Sequence, residues 1–202
     1  MAPEPTVYAV DDDIVARILL EETFRAANLS VETYASAEEF LAQYDENQGG
    51  CLLLDIIMPG MDGLELQRVL SARGDTTPVV FLSGADDVTT AVNALKAGAM
   101  DFIEKPIDPS RVIDSVRAAI SYDFKARYER MKVSQIKQRY DSLTVREQEV
   151  MRWVVSGKNN KVIANILNIS SRTVEVHRRN VIKKMEAESL AELVQMAMQI
   201  EE

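Results

Sequence analysis

With 202 residues, 47% of them apolar and 27% charged, the chain has room for one or two globular domains and the composition of neither a fibre nor a disordered tail. None of its apolar runs approaches the roughly 18 residues of a membrane span, and Met1-Ala2-Pro3-Glu4-Pro5 lacks the basic and apolar segments of a signal peptide, so a cytoplasmic protein with no membrane partner is expected. The net charge of -9 is unevenly spread: residues 1–120 hold 21 acidic and 8 basic side chains, a charge of -13, while residues 121–202 carry +4.

Apolar runs at Val7–Val10, Leu29–Tyr34, Cys51–Leu54, Pro78–Leu82 and Ala99–Ile103 are short enough for strands, and stretches of helical periodicity separate them. Five strand-then-helix repeats predict an α/β domain with a five-stranded, doubly wound parallel sheet, because parallel neighbours need crossover connections that cover both faces. Ser36-x-x-Glu39 reads as a capping box opening the second helix, and Gly98 as the stop of a fourth helix that contains Ala91–Ala97. The single cysteine, Cys51, cannot form an internal disulfide and is expected as a buried thiol in the third strand.

From Pro109 onward no strand signal returns, and Arg111 to about Arg139 holds helix formers without Gly or Pro. Apolar positions are dense up to Ala119 and sparse beyond it, where basic residues multiply. The first half should therefore pack on the sheet, and the second should serve as a spacer or a dimer contact. A second capping box, Thr144-x-x-Glu147, opens a helix expected to run to about Ser156 and stop at Gly157. A helix from Asn160 should turn Val162, Ile163, Ile166 and Leu167 inward, and Asn168-Ile169-Ser170 forms a turn. The next helix, from Ser171 to Met185, would bury Val174, Val181 and Ile182. Ser189-x-x-Glu192 opens the last, with Leu190, Leu193, Val194 and Met196 or Ala197 on its inner side. This gives an all-α bundle of four helices and expected boundaries of 1–120, a linker helix at 121–140, and 141–202.

Charged residues stand where the apolar runs stop: Asp11-Asp12-Asp13 after the first, Asp55 after the third, Lys105-Pro106 after the fifth. In an open parallel sheet, ligands are held at the carboxyl ends of the strands, so these side chains should converge. Two like charges about 4 Å apart repel each other by roughly 4 kcal/mol at an effective dielectric near 20, and a divalent cation would relieve that repulsion. Carboxylate and carbonyl oxygens suit Mg²⁺, or Mn²⁺ in its place, with waters left for phosphate oxygens to displace. Asp55 would then be a nucleophile that forms an aspartyl phosphate. Asp13 is expected only to cap a helix.

The Asp-Asp pair, the run Asp55-Ile56-Ile57-Met58-Pro59-Gly60, Ser83 and Lys105-Pro106 occur in this order, each at the end of its own strand. Thr6 to Ala119 thereby resembles the receiver domain of bacterial response regulators, a flavodoxin-like fold. The resemblance implies that Asp55 is the phosphorylated residue, that Asp12 ligates the metal directly and Asp11 through water, and that Ile57 supplies its carbonyl. It further implies that Ser83 and Lys105 bond phosphoryl oxygens, that Phe102 is a switch aromatic, and that Lys105-Pro106 matches the family's cis bond. The only histidine, His177, lies outside this set, so the phosphoryl group must come from elsewhere. The family uses a phosphohistidine on a partner sensor histidine kinase.

Lys158 to Lys184 carries seven basic side chains against Glu175 alone, a patch suited to phosphates. The segments Asn160-Lys161-Val162-Ile163-Ala164, Ile169-Ser170, Thr173-Val174-Glu175-Val176-His177 and Lys184-Met185 resemble the LuxR-type helix-turn-helix, over about Leu143 to Met198. Both halves together resemble the FixJ/NarL class of two-component transcription factors. That likeness implies base contacts from Glu175, Val176 and Arg179, and phosphate contacts from Thr173, His177, Lys161 and Lys184. Arg178 reaches phosphate as easily as base. Glu to cytosine and Arg to guanine are chemically apt pairings. Trp153 is expected as core.

The expected mechanism is a phosphate switch. Ser83 moves toward the phosphoryl group, Phe102 turns inward, and the face of the fourth helix and fifth strand becomes competent to form a homodimer that pairs two helices on double-stranded DNA. FixJ-like regulators mostly activate, working with RNA polymerase. An enzymatic alternative, the haloacid-dehalogenase phosphatases, needs a carboxylate two residues after the nucleophile, where this chain has Ile57. A protein that is not an enzyme is therefore expected. A phosphate-independent DNA binder stays open, whereas RNA binding lacks the aromatic platform it requires.

Overall fold

The computed structural model describes residues 5–84, 94–96 and 98–201. The chain forms two compact units, Met1–Arg127 and Tyr128–Glu202.

In the first unit, β1 (Thr6–Val10), β2 (Ser30–Tyr34), β3 (Gly50–Asp55), β4 (Val79–Ser83) and β5 (Asp101–Glu104) pair in parallel in the order β2-β1-β3-β4-β5. Every residue of β1, β3 and β4 is buried, while the edge strands β2 and β5 are partly exposed. Residues alternate between two cores. Tyr8, Val10, Leu52, Leu54, Val79 and Phe81 meet α2 (Ala37–Gln43) and α3 (Gly63–Ala72) through Phe40, Leu66 and Leu70. Val7, Ala9, Cys51, Leu53, Val80 and Leu82 meet α1 (Ile14–Ala26) and the long helix α4 (Pro109–Asp141) through Leu20, Phe24, Val112, Val116 and Ala119. Each fully buried Leu or Phe contributes about 1.5–3 kcal/mol of transfer free energy. This double burial is why these strands read as continuous apolar runs and not as alternating ones.

The fifth run starts later than its apolar pattern indicates. Ala99 instead closes the helical segment before it, its N–H bonded to the Ala94 carbonyl at 3.0 Å. Most of the expected fourth helix before Gly98, and with it most of the proposed dimer face, lies outside the described residues. Ser36 caps α2 as expected, but the Glu39 carboxylate bonds the Ala35 N–H (2.7 Å) and not that of Ser36. Among the described residues of this unit, the complete capping box is Asp62 with Glu65 at α3.

α4 spans the expected linker and contributes to both units. Within the first, buried Asp123 accepts the Gly50 N–H (2.9 Å) and the Arg127 Nε–H (2.8 Å), and Arg127 also donates to the Asn47 and Glu46 carbonyls. Within the second, Ile136 and Tyr140 pack on the C-terminal core.

That core belongs to α5 (Val145–Val155), α6 (Asn160–Leu167), α7 (Ser171–Met185) and α8 (Leu190–Glu201). Val150, Met151, Val154, Ile163, Val174, Val181, Met185 and Leu193 are buried in it, with Trp153 packed at its margin. Asn168, at φ 54°, makes the left-handed turn between α6 and α7. Four expected inward residues are in fact exposed: Val162, Ile166, Ile182 and Leu190. Helical periodicity marks an apolar stripe wider than the strip that these short helices bury.

Candidate functional site

The sheet order reverses at β1 and β3, and the acidic residues stand at the carboxyl ends of those two strands, Asp11 and Asp12 just past β1 and Asp55 as the last residue of β3. Asp11 follows β1, is fully buried, and accepts the Asp13 N–H on Oδ1 (2.9 Å). Asp55 ends β3 level with Leu82 of β4 and is 7% exposed. Asp12 is exposed, and Asp13 caps α1 by accepting the Val15 N–H at 2.8 Å. Asp11, Asp12 and Asp55 each bring one carboxylate oxygen to within 4.8 Å of the others.

Lys105 closes the site from β5. Its N–H bonds the Ser83 carbonyl at 2.7 Å, anchoring it to the end of β4, and its Nζ donates to Asp55 Oδ2 (2.7 Å) and Asp11 Oδ2 (2.8 Å). Burial pushes the Asp55 carboxyl up, and Asp11 adds to this, against the opposing pull of Lys105. The Lys105 ammonium is opposed by burial but held above its usual range by the two carboxylates. Three carboxylates against one ammonium leave net negative charge in a half-buried cleft, which a divalent cation with oxygen ligands fits.

Ile57, on the loop after β3, is exposed, with its N–H 3.3 Å from Asp55 Oδ1, while Ile56 and Met58 beside it anchor the loop in the core. Gly60 has φ +79°, and a Cβ at Gly63 would collide with the Asp55 carbonyl, so both glycines let this loop turn back against the strand end. Ser83 is buried at the end of β4 with its Oγ donating to the Gly84 carbonyl (2.9 Å), and Phe102 is half-buried against the core. Lys105–Pro106 is cis. Sequence reasoning missed Arg17, whose guanidinium bonds the Asp11 carbonyl (2.6 Å), and Glu38, which accepts the Met61 N–H of the β3–α3 loop (3.1 Å).

The second unit offers α7. Ser170 caps it through the Thr173 N–H (3.0 Å), and the hydroxyls of Ser170 and Thr173 lie 2.7 Å apart. Glu175, Val176 and Arg179 are exposed on this helix, and Lys161 is exposed on α6. His177 is half-buried, and among the described residues its Nδ1 has no hydrogen-bond partner. Lys184 is engaged inside the unit, donating to Glu147 Oε2 (2.7 Å) and the Ser142 carbonyl (3.3 Å). Burial would raise the Glu147 carboxyl, but Lys184 and the Thr144 backbone and side chain hold it at about 2.

Two family models match: the response regulator receiver domain over residues 7–117, and the bacterial regulatory proteins of the luxR family over residues 141–197. The response regulator protein TodT of Pseudomonas putida is 40% identical over 190 residues, covering 94% of this chain and 84% of TodT. The transcriptional regulatory protein FixJ of Azorhizobium caulinodans is 41% identical over 192 residues, covering 95% and 91% of the two chains. The solved structure of the response regulator StyR superposes with a TM-score of 0.91 at 40% identity, covering 98% of this chain and all of StyR. Among the described residues no helix is long and apolar enough to cross a membrane.

Proposed function

The chain belongs to the two-component response regulators that join a receiver to a LuxR-type DNA-binding domain, and we propose that it accepts a phosphoryl group on Asp55, dimerises, and binds specific DNA to activate transcription with RNA polymerase. The donor is a phosphohistidine on a sensor histidine kinase. The observation that carries this reading is the convergence of Asp11, Asp12, Asp55 and Lys105 at the reversal point of the sheet.

Mg²⁺, held by Asp11, Asp12, Asp55 and the Ile57 carbonyl, would offset the carboxylate charge and that of the phosphoryl oxygens. The Asp55 carboxylate forms the new P–O bond as the P–N bond to the donor imidazole breaks, its electron pair leaving with the nitrogen. Lys105 gives up its bond to Asp55 and stabilises charge on the transferring group, while the Ser83 hydroxyl turns from the Gly84 carbonyl to a phosphoryl oxygen. Phosphorylation adds about -1.5 to -2 charge. Ser83 and Phe102 respond, and the β5 face becomes competent to dimerise.

On DNA, Glu175, Val176 and Arg179 read bases, and Lys161, Thr173 and His177 meet phosphates. Lys184 has one ammonium N–H left for a phosphate beyond its two internal bonds.

Exposure to a small acyl-phosphate donor with Mg²⁺, followed by mass spectrometry, tests the first step. One base-labile phosphoryl group is expected on the intact chain and none on Asp55→Asn. Equal labelling of both would overturn the assignment.

A further inference from the structure

Two adjacent arginines of α7 sit in different surroundings. Arg179 is exposed, whereas Arg178 is half-buried and its Nη1 donates to Asn160 Oδ1 at 2.9 Å, across the turn between α6 and α7. Asn160 is not needed as a cap, because Asn159 caps α6 through the Val162 N–H (3.1 Å). A carboxamide oxygen orients a guanidinium without cancelling its charge. Among the described residues Arg178 has no ion pair, although Glu175 stands one helical turn before it and lines the same open groove with Asn160 and Lys161.

The placement has a directional consequence. In helix-turn-helix modules the first helix of the pair crosses the phosphodiester backbone, and the second presents its exposed face to base edges. Arg178 belongs to the second helix but is tied to the first turn of the first, beside the exposed Lys161. Its guanidinium is thus drawn from the base-reading face toward the backbone-crossing helix. Its rotamer freedom is already restricted before DNA arrives, which lowers the ordering cost of a contact.

We propose that Asn160 is a positioning residue that holds Arg178 as a phosphate clamp, leaving base reading to Glu175, Val176 and Arg179. This rests on the DNA-binding reading above.

The test uses the full chain on two duplexes, one of mixed sequence and one selected by the wild-type chain from a random pool, with affinity measured against salt. Arg178→Ala should weaken both duplexes by the same factor and reduce the slope of log affinity against log salt by about 1. Asn160→Ala keeps the charge, so the slope should hold while affinity on both falls about 3- to 10-fold, the effect of re-ordering one long side chain. Asn160→Asp keeps the orientation but pairs the charge, so its slope should fall like that of Arg178→Ala. Arg178→Lys should restore the slope without the full affinity. Trp153 fluorescence and melting temperature, unchanged in all four variants, separate these effects from misfolding. A loss in Arg178→Ala confined to the selected duplex, with relaxed preference at one base pair, would make Arg178 a base reader and overturn the proposal. Wild-type affinity in Asn160→Ala would overturn the positioning role. Failure of the wild-type chain to bind either duplex would instead overturn the DNA-binding reading, and this inference with it.

Discussion

Lys105 Nζ bonds Asp55 Oδ2 at 2.7 Å although 50 residues separate them in the chain, and the same ammonium holds Asp11 at 2.8 Å. The parallel register produces this meeting: β4 sits between β3 and β5, so the last residue of β3 and the residue that follows β5 arrive together at the carboxyl ends of the strands. One cation therefore serves two carboxylates and is placed to be redistributed when charge enters the site.

Replacing Lys105 with Met, an unbranched side chain one atom shorter and without the charge, should slow phosphorylation of Asp55 by about 100-fold or more, the usual cost of one electrostatic contact to a transition state. The same variant should bind Mg²⁺ more tightly, since the carboxylates lose their competing cation. Stopped-flow labelling and calorimetry would show the two effects moving in opposite directions. Weaker Mg²⁺ binding would count against the assigned role.

Asp12→Ala should weaken Mg²⁺ binding by about tenfold or more, because a hard cation loses one charged oxygen ligand. Asp13→Ala should leave Mg²⁺ affinity as it is and cost about 1 kcal/mol of stability as a lost helix cap. Equal effects of the two on Mg²⁺ would contradict the ligand set.

In the C-terminal unit Glu147 is depressed to about 2 from a usual 4.5. A depressed carboxyl contributes stability that is complete above the unfolded value and is lost as pH falls through the folded one. Unfolding followed by Trp153, the only tryptophan, should therefore show this unit weakening between about pH 5 and 2. Glu147→Gln should lower stability at pH 7 by about 1–3 kcal/mol, as expected for a buried charge-assisted bond, and flatten that acid limb. An unchanged acid limb would show that other groups set it.

Glu175→Ala should relax preference at a single base pair by about 1–3 kcal/mol while leaving affinity for mixed-sequence DNA equal or higher, because a carboxylate near phosphates is removed. Competition binding against a set of single-base variants reads this directly. Loss across all sequences would instead indicate a structural role.

How much could be read from the sequence follows from which signals are local. The acidic site was readable because each of its residues terminates a strand, and a parallel sheet aligns strand ends whatever the connections do. The capping box of Thr144 with Glu147, the Ser189 hydroxyl that accepts the Glu192 N–H and the turn at Asn168 were readable for the same reason, since each is encoded within a few residues. The Asp123–Arg127–Gly50 bonds were not: nothing near Asp123 announces that a strand N-terminus lies beneath it, so the helix read as a linker from residue 121. Ile182 and Leu190 fall on the apolar stripe yet are exposed, because periodicity shows a stripe but not how much of it a neighbour covers. The Asp62-x-x-Glu65 box is as local a signal as the Thr144 box and is legible in the same way.

In the proposed switch, charge on Asp55 controls assembly. Light scattering with Mg²⁺, with and without beryllium fluoride as an acyl-phosphate mimic, on the intact chain and on Asp55→Asn, addresses it most directly. A shift from monomer to dimer mass is expected in the intact chain alone. The same mass in all four samples, or a shift in Asp55→Asn as well, would contradict it.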